Sequence, residues 1–377
     1  MTADFPPELV HLILDHLQLI GSSSLRQCAL VCKSWQYPSS SRLFALITLV
    51  VTPDAIDSFF AVADTSLLPL ADFIRKLRLE EEEDAEGGVV RPIRALERLR
   101  RVQTLSLVMT DSALERARDW LSTTFPAVHT LTFHAYRPDS MRPILAVISD
   151  FPALEKLVIV RASAGFFATH AFPPDYVFPP RLRAVFITHK IEAFFLQIVS
   201  LNTIPQFASI TWPEFGGWPH AGSAMGTYFS CAGAALRHLR LCPGFRQPFS
   251  LAVEAAALRH CTGLRSLYIG STRDRRPHTI LLSALPHLRA PELALITLAP
   301  PYGRSIVRGA DLVSDTDADI HLDDPDTWRG IDKALSGALF AGLETLDVAL
   351  GGKAWLGPCL VRHMPLCAAR GILVLNH

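Results

Sequence analysis

The sequence predicts an α/β fold in which a short module of three N-terminal helices precedes a solenoid with a curved parallel sheet and outer helices. Two observations support this. Residues 1–48 carry apolar side chains at helical spacing, and residues 49–377 repeat a strand-like apolar pattern at regular intervals. We therefore expect two parts, a helical module over 1–48 and a solenoid over 49–377.

The composition permits a large core and limits the classes of partner. The chain has 377 residues, is 49% hydrophobic, and balances 36 basic against 36 acidic residues. A net charge of zero gives no electrostatic reason to expect nucleic acid or an anionic membrane as a partner. The seven cysteines are scattered without a CxxC pair, which is typical of reduced intracellular thiols. Asp4 and Glu8 precede any basic residue, unlike in a signal peptide, and apolar runs are too short to span a membrane. We expect a cytoplasmic or nuclear protein.

Three helices are predicted in the N-terminal module. The first begins within Asp4–Glu8, where prolines and acidic residues suit a first turn, and Gly21–Ser24 ends it. A capping box at Ser24–Gln27 predicts a second helix that continues through Trp35. A third helix is expected to carry Leu43, Phe44 and Ile47.

The second predicted helix is apolar on more than one side. Three short helices bury little surface, and burial of a side chain such as Leu30 or Trp35 contributes roughly 1.5–3 kcal/mol. A surface that docks a second protein explains this excess of apolar side chains. The alternative is a simple cap on the following repeats, but such a cap needs a polar outer face.

The spaced residues of this module resemble the F-box motif. The residues that carry the resemblance are Phe5, Pro6, Glu8, Leu9, Ile13, Leu17, Leu25, Leu30, Val31, Cys32, Lys33, Trp35, Leu43 and Phe44. That family binds the Skp-type adaptor of cullin-based SCF ubiquitin ligases. The resemblance implies that the adaptor-binding residues are Phe5, Pro6, Leu9, Ile13, Leu17, Leu25, Leu30, Val31 and Trp35. Phe5 replaces the usual leucine, and the loop before Leu25 is longer than usual, with serine in place of an acidic residue.

The rest of the chain repeats the pattern apolar-x-x-apolar-x-apolar. Its central residues are Leu77, Leu105, Leu131, Leu157, Val185, Ile210, Leu239, Leu267, Ile296, Leu346 and Leu373. They are 25 to 29 positions apart, except for one gap of 50 in which Ile320–Leu322 would supply the missing strand. Alternation points these residues into a core, and return segments such as Ser112–Leu121 and Met141–Ile148 have helical patterns.

This period lies in the range of leucine-rich repeats, and the units resemble the degenerate leucine-rich repeats often found behind F-boxes. They lack the asparagine that normally follows the strand. The alternative is an ordinary α/β domain whose strands are evenly spaced, which a run of this length argues against. On the exposed face of the strands, Phe186, His238, Arg240 and Tyr268 are of the types that anchor interfaces, so we predict that they bind a target protein. The alternative is that they are solvated or locally packed.

The remaining charged runs and the cysteines give no indication of a catalytic site. The acidic run Glu80–Asp84 and the basic run Arg273–Arg276 are interpreted as solvated loops, with phosphate capture a second possibility for the arginines. The aspartates from Asp315 to Asp326 are not a calcium loop, because Ile320 stands where glycine is needed. Cys28 and Cys32 are expected to be buried on one helix. HExxH, GxSxG, Walker and GxGxxG motifs are absent, so we expect no enzyme, metal or cofactor.

The sequence thus favours a substrate-recognition subunit of an SCF-type ubiquitin ligase. The resemblance implies the Skp-type adaptor and the cullin scaffold as partners, while the repeats would hold a protein substrate whose identity is not predicted. One alternative is a leucine-rich-repeat scaffold without ubiquitin-ligase association. Another is an enzyme whose residues converge only in the folded chain, which a pocket of titratable groups with perturbed pKa values would favour.

Overall fold

The computed structural model describes residues 6–81, 94–134, 142–160, 172–187, 191–212, 224–241, 256–270, 277–299, 325–350 and 356–376. The helices are α1 Pro7–Ile20, α2 Ser22–Ala29, α3 Lys33–Leu43, α4 Pro53–Thr65, α5 Leu70–Phe73, α6 Asp111–Thr124, α7 Arg142–Ser149, α8 Ile191–Val199, α9 Ala224–Ala232, α10 Pro277–Ala284, α11 Pro325–Leu335, α12 Gly357–His363 and α13 Pro365–Ala369. Short 3₁₀ helices cover Arg94–Leu99, Gly233–Ala235, Ala256–His260 and Ala338–Phe340.

The strands form a twelve-stranded sheet whose order follows the chain from β1 to β12. They are β1 Leu46–Val50, β2 Lys76–Glu80, β3 Thr104–Val108, β4 Thr130–His134, β5 Lys156–Val160, β6 Ala184–Ile187, β7 Ser209–Trp212, β8 His238–Leu241, β9 Ser266–Gly270, β10 Leu295–Ala299, β11 Thr345–Ala349 and β12 Leu373–Asn376. The described pairs are parallel, and the register sets Leu77 opposite Leu105 and Leu239 opposite Leu267. The predicted α/β class with a repeated parallel strand is confirmed.

Burial alternates along the strands. In β2, Leu77 and Leu79 are buried, whereas Lys76 is exposed and Arg78 is half-buried. β9 and β11 follow the same alternation. Parallel strands covered on both faces are apolar throughout, so alternation indicates that the helices cover one face and leave polar side chains on the other.

The chain divides into two compact units. Unit 1 comprises Met1–Val158 with Pro179–Arg181, and unit 2 comprises Ile159–Phe178 with Leu182–His377. The predicted boundary between 48 and 49 falls inside β1, which pairs in register with β2.

Unit 1 contains return helices with side-chain caps. The Thr110 hydroxyl accepts a hydrogen bond from the Ala113 amide at 3.3 Å, and Thr52 does the same for Ala55. Each cap satisfies an amide that has no partner within its helix, which fixes where α6 and α4 begin. Trp120 and Leu121 then bury the inner side of α6.

Unit 2 has an aromatic core. Phe178 packs against Phe194 and Phe207 with ring centroids 6.4 and 6.1 Å away, both at steep angles. Tyr228 stacks on Phe207, accepts from the Phe207 amide and donates to the Pro205 carbonyl, both at 3.0 Å. Burial raises the pKa of the Tyr228 hydroxyl, which stays a neutral donor there.

Several local predictions were wrong. α2 begins at Ser22 rather than after a Ser24 cap, and it ends at Ala29, so it does not reach Trp35. Ile47 lies on β1 rather than on a third helix. Glu80 belongs to β2, and the Glu81 carboxylate accepts from the Thr110 amide at 2.7 Å, so neither is part of a solvated loop. The expected strand at Ile320–Leu322 lies outside the described residues.

No helix in the described ranges has the length and the apolar character needed to cross a bilayer.

Candidate functional site

The three N-terminal helices have a small core of their own. Val10, Leu14 and Leu25 are buried, and partly buried apolar residues pack against them, namely Leu17, Cys28, Trp35 and Leu43. Leu25 and Trp35 were both predicted to bind the adaptor. Their packing shows that they hold the helices together.

Arg42 fixes α3 against α1. Its Nη2 and Nε donate to Asp15 Oδ1 at 2.7 and 2.9 Å, and Nη2 also lies 3.1 Å from His11 Nδ1. The same guanidinium donates to the Pro38 carbonyl on its own helix at 3.1 Å. Because Asp15 is exposed, this ion pair contributes only about 0–1 kcal/mol, and its main effect is to orient the helices.

Large apolar side chains of the same module remain exposed. Leu30 is 86% exposed and Val31 is 65% exposed, both in the turn between α2 and α3. The other exposed ones on the described parts of the three helices are Leu9, Leu12 and Tyr37. Together these five residues are called the exposed apolar residues of the module. Exposed large apolar side chains that gather in one small element are typical of interaction sites.

The structure separates the predicted adaptor-binding residues into three groups. Pro6, Leu9, Leu30 and Val31 are exposed, whereas Ile13, Leu17 and Trp35 are half-buried and Leu25 is buried. Phe5 lies outside the described residues. Leu12 and Tyr37 are exposed as well, although neither was among the predicted residues. Leu9 and Leu12 are three residues apart and therefore lie on one side of α1.

Cys28 and Cys32 do not share a helix. Cys28 lies on α2 and packs against the small core. Cys32 is exposed at the start of α3, and its Sγ lies 3.0 Å from Ser34 Oγ. The expectation that both thiols are buried on one helix was therefore wrong for Cys32.

The structure brings three of the four predicted target-binding residues together on the sheet face of unit 2. The Arg240 guanidinium lies over the Tyr268 ring, 3.8 Å from its centroid. Two residues earlier on the same two strands, His238 Nδ1 lies 2.8 Å from Ser266 Oγ. Phe186 shares the row of Arg240, but the strand that carries Thr211 separates them, so the two are about 10 Å apart.

The same row continues to β11 and β12. Register places Tyr268 beside Thr297, and Thr297 beside Asp347. On β12, Asp347 is in register with Val374, and the side-chain amide of Asn376, two residues further on, donates to Asp347 Oδ1 at 2.6 Å. We call the half-exposed residues Arg240, Tyr268, Thr297 and Asp347, together with His238, the polar sheet face. It carries basic groups on β8 and an acidic group on β11.

The shifted thiol pKa values of unit 2 follow from burial. Burial raises the pKa of Cys261 and of Cys367 to about 12, so both thiols stay protonated and are poor nucleophiles at neutral pH. Across the described ranges, no three His, Cys, Asp or Glu side chains gather as metal ligands. The basic run Arg273–Arg276 and the aspartates from Asp315 to Asp323 lie outside those ranges.

No family model matches the chain, and no curated protein matches it. Among solved structures, a protein from Bacteroides fragilis is similar at 12% identity with a TM-score of 0.38, over 65% of this chain and 75% of that chain. So distant a likeness carries no argument about function. The fold assignment rests on the register and the burial pattern of the strands.

Proposed function

We propose that the chain is the substrate-recognition subunit of an SCF-type ubiquitin ligase. The exposed apolar residues of the module would bind the Skp-type adaptor, and the polar sheet face would bind a target protein. The observation that carries the proposal is the exposure of Leu30 and Val31 beside a module core that is already filled.

The free energy of apolar burial supports a protein partner. Each large apolar side chain that moves from water into an interface contributes roughly 1.5–3 kcal/mol. Leu30 and Val31 are adjacent in a turn whose ends are fixed by α2 and α3, so little conformational entropy is lost when they bind. The F-box resemblance puts these two residues at positions that face the adaptor.

Two sets of apolar residues would have two roles in this proposal. Leu25 is buried and Trp35 half-buried, and both support the helices. Leu9, Leu30 and Val31 are exposed and would make the contact. Substitutions in the first set should unfold the module, whereas substitutions in the second should change binding alone.

The polar sheet face supports the target-binding half of the proposal. Arginine and tyrosine are enriched among the residues that dominate binding energy, and Arg240 and Tyr268 hold each other in place. The chain itself would supply proximity and orientation, while partner subunits would carry out ubiquitin transfer.

A binding assay with purified Skp-type adaptor tests the proposal. We expect the double variant Leu30→Asp, Val31→Asp to lose binding at least about a hundredfold, because two charges would have to be buried in the interface. The matched control is Leu67→Asp, since Leu67 is 99% exposed in unit 1 but lies outside the F-box-like segment. The control should bind like the wild type.

Alkylation of Cys32 gives a second readout of the same complex. Cys32 follows Val31 directly and is exposed, so bound adaptor should slow its reaction with iodoacetamide, while exposed Cys231 of unit 2 should react at an unchanged rate. Equal adaptor recovery for wild type and double variant, or no adaptor binding by the wild type, would leave the scaffold without ubiquitin-ligase association as the better description.

A further inference from the structure

We propose that unit 2 contains a binding site for a phosphate monoester group, in a cavity between α9 and the 3₁₀ helix Ala256–His260. The cavity has a volume of about 180 Å³. It involves none of the exposed apolar residues of the module and none of the polar sheet face. The inference therefore does not depend on the proposed ligase function.

The cavity exists because its floor is built from the smallest side chains. Gly226, Ala256 and Ala257 line it, and Gly226 and Ala257 are themselves buried. No side chain at these positions is long enough to fill the space between the two elements. A water molecule occupies about 30 Å³ in the liquid, so the volume suffices for a tetrahedral phosphate and its ester oxygen.

The rim of the cavity carries hydrogen-bonding groups suited to an oxyanion. Arg259 and His260 lie on the 3₁₀ helix, and Thr227 and Ser230 carry hydroxyl groups on α9, where the Ser230 hydroxyl donates to the Thr227 carbonyl at 2.7 Å. Arg259 Nε donates to His260 Nε2 at 3.1 Å, which holds the guanidinium at the rim. Its two terminal nitrogens meet no acceptor among the described residues. A guanidinium presents such nitrogens as a fork that matches two phosphate oxygens.

The charge of the lining selects the class of ligand. The described lining residues include a guanidinium, an imidazole and two hydroxyls, and none of these residues is a carboxylate. An amine or a metal ion would meet the like charge of Arg259. A dianionic phosphate monoester gains more from this cation than a carboxylate does, because its charge is larger and it offers three acceptor oxygens.

Tight packing keeps the two walls of the cavity in place. Gly233 follows α9, and a Cβ atom there would lie 2.9 Å from the His260 carbonyl oxygen. Only glycine permits this approach, so the backbone that carries the rim residues is held directly against the end of α9. A site whose walls are already fixed loses little entropy when a ligand binds.

Titration of the full chain with O-phosphoserine and with inorganic phosphate at constant ionic strength, followed by ³¹P NMR, tests the proposal. We expect saturable binding that is tighter for O-phosphoserine than for inorganic phosphate. Acetate, whose affinity is measured by its displacement of O-phosphoserine, should bind more weakly. Arg259→Ala should weaken it at least tenfold. The matched control Arg362→Ala removes an exposed arginine of α12 and should leave the affinity within twofold.

A second variant tests the space inside the cavity separately from the charge of Arg259. Ala256→Leu leaves Arg259 in place but fills the floor, and it should abolish saturable binding while thermal melting shows a folded chain. The proposal is overturned if the wild type shows no saturable binding, if Arg259→Ala and Arg362→Ala weaken it equally, or if Ala256→Leu binds like the wild type. Each result would indicate an adventitious ion only. Equal affinity for acetate, or tighter binding of inorganic phosphate, would overturn the assignment to a monoester.

Discussion

At the scale of single residues, the side chains that hold the module differ from those that remain exposed, although both sets are apolar. Leu25 is buried and Leu30 is almost fully exposed, and the two are only five positions apart. The difference comes from the end of α2 at Ala29, because Leu30 then turns away from the core that Leu25 enters.

The sequence could not separate these two residues. Neither glycine nor proline marks the turn after Ala29, and the apolar pattern continues to Trp35, so one longer helix was the natural prediction. The extended backbone of Cys32 separates α2 from α3. The F-box spacing indicated which residues belong to the module, and the structure decided which of them are exposed.

The buried thiol of Cys261 gives a prediction about pH. Burial raises its pKa from 9.0 to about 12, so the folded chain binds this proton more tightly than the unfolded chain does. Its contribution to stability is therefore complete below about pH 9 and is lost as the pH rises toward 12. Between pH 8 and 10.5, the free energy of unfolding of the wild type should fall by about 2 kcal/mol more than that of Cys261→Ala.

Urea unfolding at both pH values measures this difference. The buried Tyr228 is present in both proteins, so the rise in its pKa that comes from burial cancels in the comparison. An equal fall for wild type and variant would show that the thiol is accessible to solvent in the folded chain.

At the scale of elements, buried polar groups connect helices that are distant in sequence. The Asp332 carboxylate of α11 is buried and accepts hydrogen bonds from the Leu366 and Cys367 amides of α13, at 3.0 and 2.8 Å. Arg370 donates to the Leu335 carbonyl at 2.6 Å and to the Phe340 carbonyl at 3.1 Å. These contacts satisfy backbone groups that helix ends leave without partners.

Asp332→Ala should accordingly destabilise unit 2 by roughly 2–4 kcal/mol, because two amides lose a charged acceptor in the interior. The matched control is Asp326→Ala on the same helix, whose carboxylate is exposed and, among the described residues, pairs with Arg329 alone. The control should change stability by less than about 0.5 kcal/mol. Urea unfolding followed by circular dichroism measures both variants, and similar small losses would contradict the role assigned to Asp332.

Element positions were predictable where one simple period governs burial. The repeated pattern predicted the positions of β2 to β12, because each strand must bury its alternate apolar residues. β1 was missed because Ile47 lies next to the F-box-like residues and was assigned to a third helix. The contact between Arg240 and Tyr268 depends on register across strands 28 residues apart, which a repeat predicts only once its strands are aligned.

At the scale of the whole molecule, the sheet makes its contacts between neighbouring repeats. Such architectures have a stability that is roughly a sum of repeats and their nearest-neighbour interfaces. A defect in one repeat should therefore remain local.

Leu346→Ala tests this property. Leu346 is fully buried in β11, so truncation should remove about 2–5 kcal/mol of local stability. Hydrogen exchange followed by mass spectrometry should show faster exchange in β10, β11 and β12, with unchanged protection in β2 and β3. A uniform increase along all strands would show that the repeats unfold as one cooperative unit.

The alternation of burial along the parallel strands has a consequence for how recognition can change. The side chains at positions 238, 240 and 268 are held at fixed positions on the sheet by the strand register. The core does not depend on their identity, because they lie outside it. A few substitutions at these positions would change the charge and the hydrogen-bonding groups presented to a ligand without disturbing the buried leucines. The scaffold thus allows specificity to diverge freely at nearly constant stability.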